Sequence, residues 1–110
     1  LIPANPTGVQ DDHGRYLAKY FELFQNYPNP FNPSTTIRFA LPEASEIVVK
    51  IFNLTGSEIR TLVRGQYQAG VHGVDWDGRD NNGQLVASGV YLYQLQAGSF
   101  KQVWKMSLLR

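Results

Sequence analysis

The sequence predicts an all-β sandwich of about seven short strands, and three observations carry that expectation. From Thr35 onward apolar residues recur with a period of two. Clusters of glycine, asparagine and serine separate these segments at the spacing that turns of a sandwich require. The length of 110 residues, with 43% hydrophobic and 17% charged, suits a single core and argues against a multi-domain enzyme.

Leu1 to Gly14 carries Pro3, Pro6, Gly8 and Gly14 among polar residues and follows neither apolar period, which reads as a linker. There is no initiating methionine and no signal-peptide pattern, so the chain is expected to be a fragment of something longer. From Arg15 to Phe24, Tyr16, Leu17, Tyr20, Phe21, Leu23 and Phe24 fit either a short amphipathic helix or an extended segment. The run Tyr27-Pro28-Asn29-Pro30-Phe31-Asn32-Pro33 excludes helix and central strand, because each proline fixes φ and lacks a donor. It is expected to run as a polyproline-like strip along a sheet edge, anchored by Tyr27 and Phe31.

Thr35 to Leu41 sets Ile37, Phe39 and Leu41 against Thr36, Arg38 and Ala40, a strand that Pro42 ends. Ile47 to Phe52 is β-branched, with Lys50 on its wet side, and turns through Leu54-Thr55-Gly56-Ser57 into Glu58 to Val63 as a hairpin. Val71 to Asp77 adds a strand with His72, Val74 and Trp76 on one face. The polar loop from Asp77 to Gly83 follows, then a short strand at Leu85 to Ala87. Val90 to Ala97 and Phe100 to Leu109 form the strongest hairpin, joined at Gly98-Ser99.

The chemistry this chain can carry is narrow. Ten Lys plus Arg against nine Asp plus Glu leave a scattered net charge of +1, unlike a nucleic-acid domain. No run approaches the ~20 apolar residues of a membrane span, so no membrane insertion is expected. Cysteine is absent, and neither His13 nor His72 has a serine in a nucleophile elbow to partner, so no enzyme activity and no cofactor is expected. No metal is expected either; Asp75, Asp77 and Asp80, with Asn81 and Asn82, are the weak candidate for calcium, and turn chemistry accounts for the same residues. Aromatic residues, 13% of the chain, allow a sugar-stacking platform from Tyr91, Tyr93 and Trp104, with core packing the simpler use. Asn53-Leu54-Thr55 fits an N-glycosylation acceptor and equally a turn before Gly56.

Taken in order, Gln25-Asn26-Tyr27-Pro28-Asn29-Pro30-Phe31-Asn32-Pro33, then Gly70, then Trp76-Asp77-Gly78 with Asp80 and Gly83, then Ser88-Gly89-Val90-Tyr91, and finally Lys105-Met106 with Leu108 and Arg110 closely resemble C-terminal sorting domains of the bacterial type IX secretion system. The Trp76 to Asp80 and Ser88 to Tyr91 segments are also similar to the immunoglobulin-like domain of flagellar hook-capping proteins. The resemblance implies an immunoglobulin-like β-sandwich, with residues 1–23 a linker from a larger secreted protein and residues 24–110 the sorting domain. It implies a non-catalytic address that sends an N-terminal passenger in the same chain through the periplasm to the cell surface or medium. The partners implied are the outer-membrane secretion and attachment machinery, with Lys105, Met106, Leu108 and Arg110 as the recognition residues. An edge strand at the C-terminus supplies a physical route, since it can pair with a partner's backbone. The alternative is a carbohydrate-binding or structural immunoglobulin-like accessory module of a secreted enzyme.

Overall fold

Alternating side chains form strands here because each strand sends one face into a shared core. The computed structural model describes residues 9–10 and 16–110, with side chains from residue 18 onward. Its strands are β1 (Val9–Gln10), β2 (Tyr16–Leu17), β3 (Glu22–Leu23), β4 (Thr35–Leu41), β5 (Ser45–Phe52), β6 (Glu58–Tyr67), β7 (Gly70–Trp76), β8 (Gly89–Ala97) and β9 (Phe100–Leu108). Apart from Val9–Gln10, the linker expected over Leu1 to Gly14 lies outside the described residues, and His13 with it.

β1 and β2 pair with each other, while the remaining strands build a sandwich from a three-stranded sheet, β3-β4-β7, and a four-stranded sheet, β6-β5-β8-β9. All named pairs are antiparallel, and the chain passes between the sheets from β4 to β5, from β6 to β7 and from β7 to β8. This is the seven-stranded sandwich that the alternation predicts, in the immunoglobulin-like form that the resemblance implies. Ile37, Phe39 and Leu41 from one sheet meet Ile47, Val49, Ile51, Tyr93 and Leu95 from the other, all fully buried.

Between Arg15 and Phe24 the extended alternative holds, not the helix. Glu22 pairs with Ala40 and Leu23 with Phe39, which buries Leu23 completely and places the first strand of the sandwich at Glu22–Leu23, ahead of residue 24. The extended form wins through tertiary partners: β4 pairs with Glu22 and Leu23, and Gln102 and Trp104 hold the main chain of Leu23. Leu85 to Ala87 is not a strand: Leu85 makes a single bridge to Arg79 inside the polar loop. The segment is turned back into the loop instead, with the Val86 amide donating to the Gly78 carbonyl and Leu85 exposed.

The proline run is not a polyproline strip but a series of bends, tied at Tyr27 to Thr36 of β4 and at Phe31 to Leu108 of β9. Its Tyr27–Pro28, Asn29–Pro30 and Asn32–Pro33 bonds are cis. Phe31 anchors through its side chain, which is buried against Trp76. Tyr27 anchors through its backbone, its ring being 59% exposed.

Candidate functional site

One pole of the sandwich gathers almost every residue that the sequence singles out. Here the strand periodicity turns Trp76 inward from β7, Tyr91 from β8, and Met106 and Leu108 from β9, and Phe31 closes the gap between the sheets. Trp76 packs edge-on to Tyr91, with ring centroids 5.6 Å apart, and lies 5.7 Å from Phe31. Its indole N–H donates to the carbonyl of Arg79 at 2.9 Å, and the Tyr91 hydroxyl donates to that of Ala87 at 2.6 Å. A buried Trp or Tyr needs such a partner, and the loop between β7 and β8 provides both. Burial pushes the Tyr91 hydroxyl above the usual tyrosine pKa, with the Arg110 charge opposing.

The C-terminus is stapled to the same loop. The Arg110 amide donates to Ser88 Oγ, its Nε to the Val86 carbonyl at 2.8 Å and its Nη2 to the Gly78 carbonyl at 2.9 Å. Gly78 has φ of +76°, and a Cβ there would stand 2.7 Å from Arg110 Nη2. Glycine at this position therefore serves both the turn and the guanidinium laid over it. The loop's own shape comes from Asp80, whose carboxylate accepts the amides of Asn82 and Gln84, and from Asp77, which accepts the amide of Arg79 and faces Arg60 and Arg79. Gly89 opens β8 beside them.

The candidate calcium ligands do not converge. Asp75 binds the Thr36 hydroxyl across the β4–β7 pair, Asp77 meets arginines, and Asp80 turns into its own loop. Among the described residues no group of three or more His, Cys, Asp or Glu could hold a metal ion. Of the sugar platform, Tyr91 and Tyr93 face the core, which leaves Trp104 alone exposed of the three, its indole N–H donating to the Leu23 carbonyl at 2.7 Å. The Asn53 carboxamide oxygen accepts from the amides of Thr55 and Ser57 and from the Thr55 hydroxyl, which is the turn reading of Asn53-Leu54-Thr55.

The four closing residues divide by what they touch. Met106 and Leu108 are 1% and 0% exposed core residues, Arg110 is held on loop carbonyls, and Lys105 projects into solvent. The lower edge of β9 is not open to a partner strand as the sequence suggests. Phe31 donates its amide to the Ser107 carbonyl and accepts from the Leu109 amide, Asn29 Oδ1 accepts from the Ser107 amide, and Gln25 Nε2 donates to the Lys105 carbonyl. The proline run has already occupied those groups. Flanking it are two shallow notches, one of about 250 Å³ beside Lys105 and Val90 and one of about 400 Å³ between Pro30 and Leu109.

Sequence reasoning missed the polar network behind the run. Asn26, 2% exposed, donates its amide to the Tyr93 hydroxyl at 2.7 Å and its side chain to Thr35 Oγ1 and the Pro28 carbonyl. The Tyr93 hydroxyl in turn donates to the Phe24 carbonyl at 2.7 Å, and burial raises its pKa well beyond the ordinary tyrosine range. Gln102 Oε1 accepts the Leu23 amide at 2.9 Å, so β9 side chains hold both main-chain groups of that residue. Asn26 stood in the matched motif and Thr35 at the start of a predicted strand, but neither pattern announces the bond that joins them.

No curated protein matches the chain. Among solved structures, dimeric latent PorU from Porphyromonas gingivalis superposes with a TM-score of 0.65 at 19% identity over 86% of this chain. FlgD from P. aeruginosa gives 0.54 at 22% identity over 67%. PorZ from Porphyromonas gingivalis, described as an essential bacterial surface component of the type IX secretion system, gives 0.51 at 26% identity over 82%. The chain spans 10% of that PorU chain, 58% of that FlgD chain and 11% of that PorZ chain. The family model for the FlgD Ig-like domain matches residues 31–100, most of the sandwich from Phe31 to the start of β9. The chain belongs to the FlgD Ig-like domain family, matched over residues 31–100.

Proposed function

We propose that this domain is a sorting and surface-attachment address, joined behind a passenger and recognised in its folded state by the outer-membrane machinery of a type IX secretion system. The passenger passes through the periplasm and ends at the cell surface or in the medium. The observation that carries the reading is the single pole built from Phe31, Trp76, Gly78, Tyr91, Leu108 and Arg110. Segments far apart in sequence meet at this pole only when the chain is folded, which suits a signal read after folding. The likeness to PorZ supports it, and so do Tyr27 to Pro30 and Lys105 to Arg110, which lie outside the stretch shared with the FlgD family.

Within this pole Lys105 is the recognition residue that offers its own side chain, while Met106 and Leu108 act by packing and Arg110 by fixing the terminus. Deleting Lys105 to Arg110 would remove Met106 and Leu108 from the core and unfold the domain, so point variants are the proper test. A periplasm-targeted reporter fused ahead of the domain should reach the surface of a type IX-competent host, and Lys105→Glu should lower surface display at least tenfold with an unchanged thermal melt. Undiminished display of the variant removes Lys105 from recognition. A folded intact fusion that stays in the periplasm rejects the sorting reading and favours a structural module of the hook-capping kind, the reading that the match over residues 31–100 supports.

A further inference from the structure

The upper half of β9 differs from its lower half in being unoccupied. Ser107 and Lys105 turn backbone groups toward the proline run, so by the alternation of an antiparallel pair the N–H and C=O of Val103 and Lys101 point the same way, out of the sheet edge. Among the described residues nothing pairs with them. Lys101, Val103 and Lys105 are exposed on the outer face of this strand, and Trp104, 37% exposed, stands between them on the inner side. The two lysines have no ion pair among the described residues, and the β8–β9 half of the outer face carries no carboxylate. At about 3.4 Å per residue the two lysines project from positions ~14 Å apart with Val103 midway.

We infer that an extended acidic segment of a partner protein adds as a strand to this upper edge, its carboxylates at alternate outward positions meeting Lys101 and Lys105, an apolar residue between them covering Val103, and its inward apolar residues covering Trp104. Strand addition provides the main-chain bonds and the side-chain pattern provides the choice of partner. Charge complementarity fixes the sign, and the two-residue period fixes the register. The inference rests on the sorting reading in naming the chemistry of the machinery's docking segment.

The probe is the peptide acetyl-Gly-Asp-Leu-Val-Leu-Asp-Gly-amide, with its Asn-for-Asp analogue as comparison, titrated into the isotope-labelled chain. The expected result is amide shifts confined to Lys101 to Lys105 and a Kd at least tenfold weaker for the Asn analogue and for the Lys101→Glu/Lys105→Glu variant. Arg64→Glu, an equal charge change on the same sheet at β6, should alter the Kd less than twofold. Equal binding of both peptides, an equal loss with Arg64→Glu, shifts elsewhere, or no binding overturns it. So do shifts of these amides by phosphatidylglycerol vesicles without any by the peptide, or unchanged peptide binding in a lysine variant that self-associates, which would make the lysines guards of an edge. Peptide binding with a folded intact fusion that is not exported leaves this docking edge standing and rejects sorting alone; export without peptide binding does the reverse.

Discussion

Replacing Gly78 with alanine tests how the C-terminus is held. At φ of +76° an L side chain costs about 1–2 kcal/mol. The new Cβ would also lie 2.7 Å from Arg110 Nη2, so the guanidinium must move and its bonds to the carbonyls of Gly78 and Val86 weaken. A hydrogen bond to a charged group is worth about 1.5–3 kcal/mol. Arg110 is exposed, and solvent screening reduces the pair to roughly 1–2 kcal/mol together. Gly78→Ala should therefore destabilise by about 2–4 kcal/mol in urea at constant m-value, a fall in Tm of ~10–20 °C. In an Arg110→Ala background the same change should cost only the backbone share of about 1–2 kcal/mol, giving a coupling of about 1–2 kcal/mol in the double-mutant cycle. Strictly additive losses, with a coupling below about 0.5 kcal/mol, would refute the account of Gly78 as the seat of the arginine.

Other consequences are equally measurable. Leu108→Ala should cost about 2–5 kcal/mol by urea unfolding, since a fully buried leucine at the pole has no solvent to fill its place. Tyr93 has its pKa raised by folding, so its contribution is fully present below the unfolded value near 10 and is lost as pH rises beyond it. Tyr93→Phe should remove this alkaline slope and cost about 1–3 kcal/mol at pH 7, because the Asn26 amide loses its acceptor; an unchanged slope would assign it elsewhere. Glu58 is shifted the other way by bonds from Thr61, Lys50 and Asn81, so its contribution is present above the ordinary carboxylate pKa and fades as pH falls through the lowered one. Glu58→Gln should flatten that acid limb of the stability profile. Trp104→Phe should lower stability by about 0.5–1.5 kcal/mol through the lost bond to Leu23 and leave retention on insoluble polysaccharide unchanged from the parent.

The strands from Thr35 to Leu109 were legible because burial alternates with the residue pattern, as Ile37, Phe39 and Leu41 illustrate against Thr36 and Arg38. What escaped was settled by partners distant in sequence. Leu23 becomes a strand residue because Phe39 lies opposite and Gln102 and Trp104 reach it, and nothing between Arg15 and Phe24 announces those contacts. The proline run was legible as a helix breaker but not as the cover of an edge, since its bonds go to Ser107 and Leu109, with Gln25 just ahead of it reaching Lys105. The closing motif was legible as a cluster of matched residues. Its division into packed, stapled and projecting side chains needed the fold, because alternation alone places Met106 and Leu108 on one face without saying how deep that face lies.

The double tether of Leu23 bears on mechanics. β3 and β9 run in the same direction, since Phe21 meets Phe100, Leu23 meets Gln102 and Trp104, and Gln25 meets Lys105, so the chain enters at one pole and Arg110 sits at the other. Tension applied through the entering chain and resisted at Arg110 slides β3 against β9. The bonds from Gln102 and Trp104 to Leu23, and those from the proline run to Ser107 and Leu109, then share the load in shear instead of opening one after another. A load drawn along this axis is therefore expected to be resisted better than a pull across the sheet edges, which would open the strand pairs in turn.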